Sequence, residues 1–173
     1  MKLYHVSEDP DIRVFEPRVP TRSDMAGGEG LVWAVNETGL PNYLVPRNCP
    51  RVTWHAGPDT TLDDMQLYLS SPTCRHVVAI EAKWFSVMQK TTLYLYEFYP
   101  DDFSLQDRVA GYYTSRVWQK PCTMHVIDNL FEELWKRNVE LRVVDNLWAL
   151  RDIISETSFD WSMIRMQMAQ KPR

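Results

Sequence analysis

Apolar and polar positions alternate from the start of the chain. In Leu3-Tyr4-His5-Val6-Ser7 a period of two predicts a strand over residues 2–7 with Leu3, His5 and Ser7 on one face. Leu31–Val35, carrying Trp33, predicts a second strand. His76–Glu81 reads as a buried strand, and Leu93-Tyr94-Leu95-Tyr96-Glu97-Phe98 is rich in residues that suit a pleated surface. The period then changes. Thr61 is placed to cap a short helix over 62–70 with Leu62, Met65 and Leu69 on one side. Residues 124–137 align Ile127, Leu130, Phe131 and Leu134, with Glu132, Glu133, Lys136 and Arg137 outside. Residues 146–155 repeat that pattern through Leu147, Leu150 and Ile154. Leu141–Val144 reads as a short strand, and Phe159–Met168 fits either period.

The connecting stretches are marked by proline and glycine. Residues 9–30 read as loop, with Pro10, Pro17, Pro20 and the Gly27-Gly28-Glu29-Gly30 turn. Pro41, Pro46 and Pro50 keep 41–51 out of a central strand. No repeat, low-complexity tract or linker divides the chain, so a single domain over 1–173 is expected. A strand-rich front and helix-rich back predict an α+β fold, its sheet mixed or antiparallel, with C-terminal helices.

Composition narrows the function classes. The 45% apolar and 24% charged residues are ordinary for a folded domain, and a net charge of −4 gives no general pull toward nucleic acid or anionic membrane. The N-terminus shows no secretory signal pattern and no apolar run is long enough to span a bilayer, so a cytoplasmic location is expected. Cys49, Cys74 and Cys122 are widely spaced and form no C-x-x-C pair, which disfavours a disulfide framework and a structural zinc site. Phosphate-loop, dinucleotide-fingerprint, nucleophile-elbow and H-E-x-x-H motifs are all missing, and the four histidines are scattered, so no metal site is signalled.

Several side chains remain as candidates, each with a structural reading beside the functional one. His5, on the first strand, suits hydrogen bonding to a ligand hydroxyl or proton transfer, or else a half-buried bond to a backbone carbonyl. Arg13, Arg18 and Arg22 follow that strand, and Arg47 and Arg51 flank Cys49. Guanidinium forks suit phosphate, although solvated surface arginine is commoner. Cys49 reads as a nucleophile or a small buried hydrophobe, the latter favoured. Tyr112 and Tyr113, with Ser115 and Arg116 close by, read as core and surface rings or as a stacking platform for a base.

Taken together, Leu3–Glu8, Phe15-Glu16-Pro17-Arg18, Val32–Val35, Pro46–Arg51, Leu93–Phe98, Ala110–Ser115, Leu147–Asp152 and Ser162–Met166 resemble a bacterial domain family of unknown function along nearly the whole chain. More distantly, a strand with His5, a strand with Trp33, then Tyr43 and a tyrosine-bearing strand resemble the ADP-ribosyltransferase fold. That resemblance implies NAD as ligand. His5 would contact its ribose, Trp33 would be the strand aromatic, and Tyr43 or Tyr112 would stack on the base. Arg13, Arg18, Arg47 and Arg51 would be available to phosphate, and Tyr113 and Ser115 would complete the site. Gly111–Ser115 has no carboxylate where that fold carries its catalytic glutamate. Two functions follow: a group-transfer enzyme of this type using NAD or another nucleotide or phosphorylated ligand, with His5 catalytic, or a non-catalytic module binding a nucleotide or a protein partner.

Overall fold

The computed structural model describes residues 1–19 and 29–172, and among the described residues the chain forms ten strands and four α-helices, the second of them the short α2 (Phe85–Met88). Arg22, Pro20 and the Gly27-Gly28 part of the expected turn lie outside the described residues. The strands are arranged in two sheets, which makes the class α+β. Each sheet belongs to its own unit: Met1–Leu40 with Leu93–Ile127, and Pro41–Thr92 with Asp128–Arg173.

The first unit is an all-antiparallel sheet of β1 (Leu3–Ser7), β2 (Val32–Val35), β5 (Leu93–Phe98), β6 (Ser104–Asp107), β7 (Tyr112–Ser115) and β8 (Thr123–Ile127), in the order β6-β7-β2-β1-β5-β8. Its register confirms the alternation read from the opening residues. Leu3, Val32, Ala34, Tyr96 and Phe98 share a buried cluster with Phe15, and Ile12, Tyr94, Phe103 and Tyr113 pack on it. The segment after β1 lies over this cluster. Tyr96 donates its hydroxyl to the Asp9 carbonyl at 2.7 Å and accepts the Ile12 N–H at 3.2 Å. Phe15 exchanges backbone bonds with Gln119. Gly111 lies at φ +69°, beside Asn36, where a side chain would meet the Asn36 amide.

The second unit is a four-stranded mixed sheet of β3 (Arg51–His55), β4 (His76–Glu81), β9 (Val139–Val144) and β10 (Asp160–Ile164), in the order β10-β3-β4-β9. Only the β4–β9 pair is parallel among the described residues. Val52, Trp54, Val77 and Ala79 bury one face together with Leu147, Ile154 and Phe159. Leu147 and Ile154 come from the start and body of α4 (Trp148–Ser155), whose apolar spacing is the one expected. In α1 (Leu62–Tyr68) the Thr61 side chain accepts the Asp64 N–H, as a capping residue should. Met65 and Leu69 pack on the core, whereas Leu62 is exposed.

Three sequence expectations are corrected. The helix expected over 124–137 begins at Leu130 and forms α3 (Leu130–Lys136); its N-cap Asn129 accepts the Glu132 N–H. The residues ahead of it, Thr123–Ile127, are strand β8, because they alternate against β5 in continuous register. The C-terminal half is therefore not mainly helical, since strands β6 to β10 all lie beyond residue 100. Arg51–His55, passed over next to Pro50, is a central strand buried along its whole length.

Candidate functional site

His5 is half-buried on β1, where that strand meets β2. The two strands are in register at one pair among the described residues, Tyr4 with Val35. Beyond that pair the His5 ring takes up a backbone acceptor itself: Nδ1 lies 2.9 Å from the Trp33 carbonyl oxygen. A carbonyl only accepts, so Nδ1 carries the proton, and Nε2 is the basic nitrogen of the neutral ring. Phe15 packs on the imidazole at 4.8 Å between ring centroids, tilted by 55°. Phe15 in turn meets Tyr96 at 5.2 Å and Phe98 at 5.1 Å edge-on. The Trp33 carbonyl thus acts on the tautomer of His5, and the Phe15 ring packs against its plane.

Strand alternation sorts the other candidates of this unit. Ala34 pairs with Tyr113 and Val32 with Ser115, so Tyr113 and Ser115 share the Leu3–His5 face. Ser115 is buried and its hydroxyl accepts from the Gln119 amide at 2.9 Å. Trp33 and Tyr112 lie on the opposite face, packed edge-to-face at 5.6 Å. Arg13 and Arg18 are exposed along the segment that follows β1, and Arg18 forms a backbone bridge with Leu31.

The remaining candidates belong to the second unit. Arg51 is buried, with Nε donating to the Asn42 carbonyl and Nη1 to the Cys49 carbonyl, both at 2.8 Å. Its guanidinium lies over the Tyr43 ring at 5.5 Å. In this place Arg51 shapes the 41–50 segment. Arg47 is exposed on that segment. Burial pushes the Cys49 thiol up to about 12, partly offset by Arg51, so the thiolate that a nucleophile requires is disfavoured.

Sequence reading missed several polar groups that contact across strands. Glu97 is buried on β5 with Lys2 Nζ at 2.9 Å and His125 Nε2 at 3.7 Å. It pairs with Tyr4, so it lies on the face opposite His5 and supplies no carboxylate there. In the second unit His55 and His76 are cross-strand partners with stacked rings. The signal for them was present, since one ends and the other begins a run of strand-forming residues. Their separation of twenty-one positions concealed the contact.

No group of three or more His, Cys, Asp or Glu side chains among the described residues is arranged to hold a metal ion. No described helix is long and apolar enough to cross a membrane. Fold and site define an α+β protein whose first sheet presents an oriented, half-buried histidine on its opening strand. The chain belongs to the family of unknown function DUF6886, whose model matches residues 4–169. No curated protein and no solved structure matches it.

Proposed function

We propose that the chain binds a nucleotide of the NAD or ADP-ribose class on an ADP-ribosyltransferase-like sheet, with His5 contacting a ribose hydroxyl. The observation that carries this reading is the Nδ1 bond from His5 to the Trp33 carbonyl, which holds the half-buried imidazole in one orientation on the opening strand. Tyr113 and Ser115, on the same face but one strand beyond β2, join it in the proposal in place of Tyr112. Arg13 and Arg18, exposed on the following segment, are the proposed phosphate partners. NAD and ADP-ribose are metabolites of the cell interior, and the proposal places the protein in a bacterial cytoplasm.

Group transfer is the second reading, favoured by the basic Nε2 of His5. An oxocarbenium-like centre is stabilised by a nearby carboxylate, and the strand positions on the His5 face hold none. Binding is therefore the primary reading.

Thermal denaturation with NAD, ADP-ribose and inorganic phosphate tests it. A ligand at about 100 times its Kd stabilises by about 2.7 kcal/mol, and ADP-ribose is expected to do so. His5→Ala is expected to weaken ADP-ribose about fivefold to thirtyfold, the size of one lost charge-free hydrogen bond with its unpaired partner, about 1–2 kcal/mol. If none of the three ligands moves the transition, the nucleotide reading is wrong. Nicotinamide release from NAD then separates transfer from binding.

A further inference from the structure

We propose that the stacked His55–His76 pair is an acid-released latch that holds the Pro41–Pro50 segment on the four-stranded sheet. The two residues are register partners on β3 and β4, with ring centroids 5.0 Å apart and planes 19° from parallel. Both are buried, and both point away from the Trp54 core, since Val52, Trp54, Val77 and Ala79 occupy the alternate positions. His76 Nε2 donates to the Asn42 side-chain oxygen at 2.8 Å. The Asn42 backbone carbonyl accepts from Arg51, which also donates to Cys49. The segment is thus pinned by two buried groups. Arg51 keeps its charge at every relevant pH, whereas His76 does not.

The charged groups on the surrounding elements decide which ring tolerates a proton. On β10, Asp160 Oδ2 lies 3.8 Å from His55 Nε2. On β9, Glu140 is paired with Arg142 at 2.8 Å, and Val139 stands opposite His76. Arg75, just ahead of β4, is exposed, and Cys74 donates its thiol to the His76 carbonyl. On the pinned segment the contact is the neutral Asn42 amide. A proton on His55 therefore has a carboxylate to offset it. A proton on His76 has the His55 ring above it and an amide beside it.

Burial lowers His55, with Asp160 opposing, and burial followed by His55 brings His76 from 6.5 down to about 3. An opened segment lets water reach His76 and returns it toward its ordinary value. Below about pH 6.5 the open form then holds a proton that the latched form refuses, so latching is fully favoured above that pH and weakens as pH falls toward 3. One such proton shifts the latched-to-open ratio by about tenfold per pH unit. Tyr43 and Arg47 ride on the released segment.

Amide hydrogen exchange of the intact chain at pH 7 and pH 4.5, corrected for intrinsic rates, tests the latch. The Leu44 and Cys49 amides, bonded to the Pro41 and Pro46 carbonyls, are expected to lose at least tenfold in protection while those of β5 keep theirs. His76→Gln, a neutral side chain that still donates to Asn42, is expected to hold its protection at both pH values. Equal protection of the wild-type segment at the two pH values overturns the proposal, as does an acid response in His76→Gln equal to that of wild type. Should His76→Gln not fold, the wild-type His76 ring decides: a titration midpoint below pH 5 by NMR supports the latch, and one near 6.5 overturns it.

Discussion

Removing residues 169–173 is expected to destabilise the second unit by about 3 kcal/mol, far more than trimming a chain end usually costs. The reason is Glu81, the last residue of β4, which is 0% exposed. Its two carboxylate oxygens accept the Gln170 N–H at 2.9 and 3.1 Å. Lys83 Nζ lies at 3.2 Å and remains half-exposed, so it offsets the charge without closing the site. The same C-terminal residues are tied down elsewhere: Trp148 Nε1 donates to the Gln170 carbonyl at 2.6 Å, Asn146 to Lys171, and Gln170 to Asp145. Truncation strips a buried carboxylate of its backbone donor and leaves the Trp148 N–H without its acceptor. A carboxylate left underbonded in the interior costs more than the bond contributed, because its desolvation is no longer offset. Urea melts followed by exchange in β4 and β9 should show the loss. A truncated chain that melts with the wild-type midpoint would mean that Glu81 is hydrated and that the C-terminal contacts carry no stability.

Trp54→Ala is the second large effect, expected to cost about 4 kcal/mol through lost burial and the cavity left behind. Trp54 sits on central strand β3 at 0% exposure, in the cluster with Val52, Val77, Leu147 and Phe159. The Arg142 guanidinium covers its ring at 5.0 Å. One detail makes a second substitution informative. The Trp54 Nε1–H is buried and makes no hydrogen bond. Trp54→Phe keeps most of the packing and removes that unpaired donor, whose burial costs about 1–3 kcal/mol. The two changes oppose one another, so Trp54→Phe should fall within about 1.5 kcal/mol of wild type. Chemical denaturation of the three proteins checks this, and equal losses for Ala and Phe would show that the indole N–H is satisfied in solution.

What the sequence made legible follows from how local each signal is. His76–Glu81 and Leu93–Phe98 were read with their observed ends, because each is an unbroken run of residues that favour strands. Thr61 was legible as a cap because its partner Asp64 is three residues away. Thr123–Ile127 was misread because Ile127 extends the helical stripe of Leu130, Phe131 and Leu134, and a single shared residue joined two elements. The face carrying His5 was legible from period two alone, and the cluster around Leu3 agrees with it. Its neighbours were not, since they depend on a register set between strands about thirty and about eighty residues apart. That register divides Tyr113 and Ser115 from Trp33 and Tyr112. Long-range polar contacts were invisible for the same reason: Glu81 with Gln170 and His76 with Asn42 are separated by 89 and 34 positions.

The claim that His5 is a ligand-binding residue is tested most directly by NMR of the four histidine rings during an ADP-ribose titration. The account predicts a saturable change at His5, with its Nδ1–H tautomer already present before ligand is added, and no saturable change at His55, His76 or His125. A His5 resonance that stays fixed while ADP-ribose binds, or the absence of any saturable change, would contradict it.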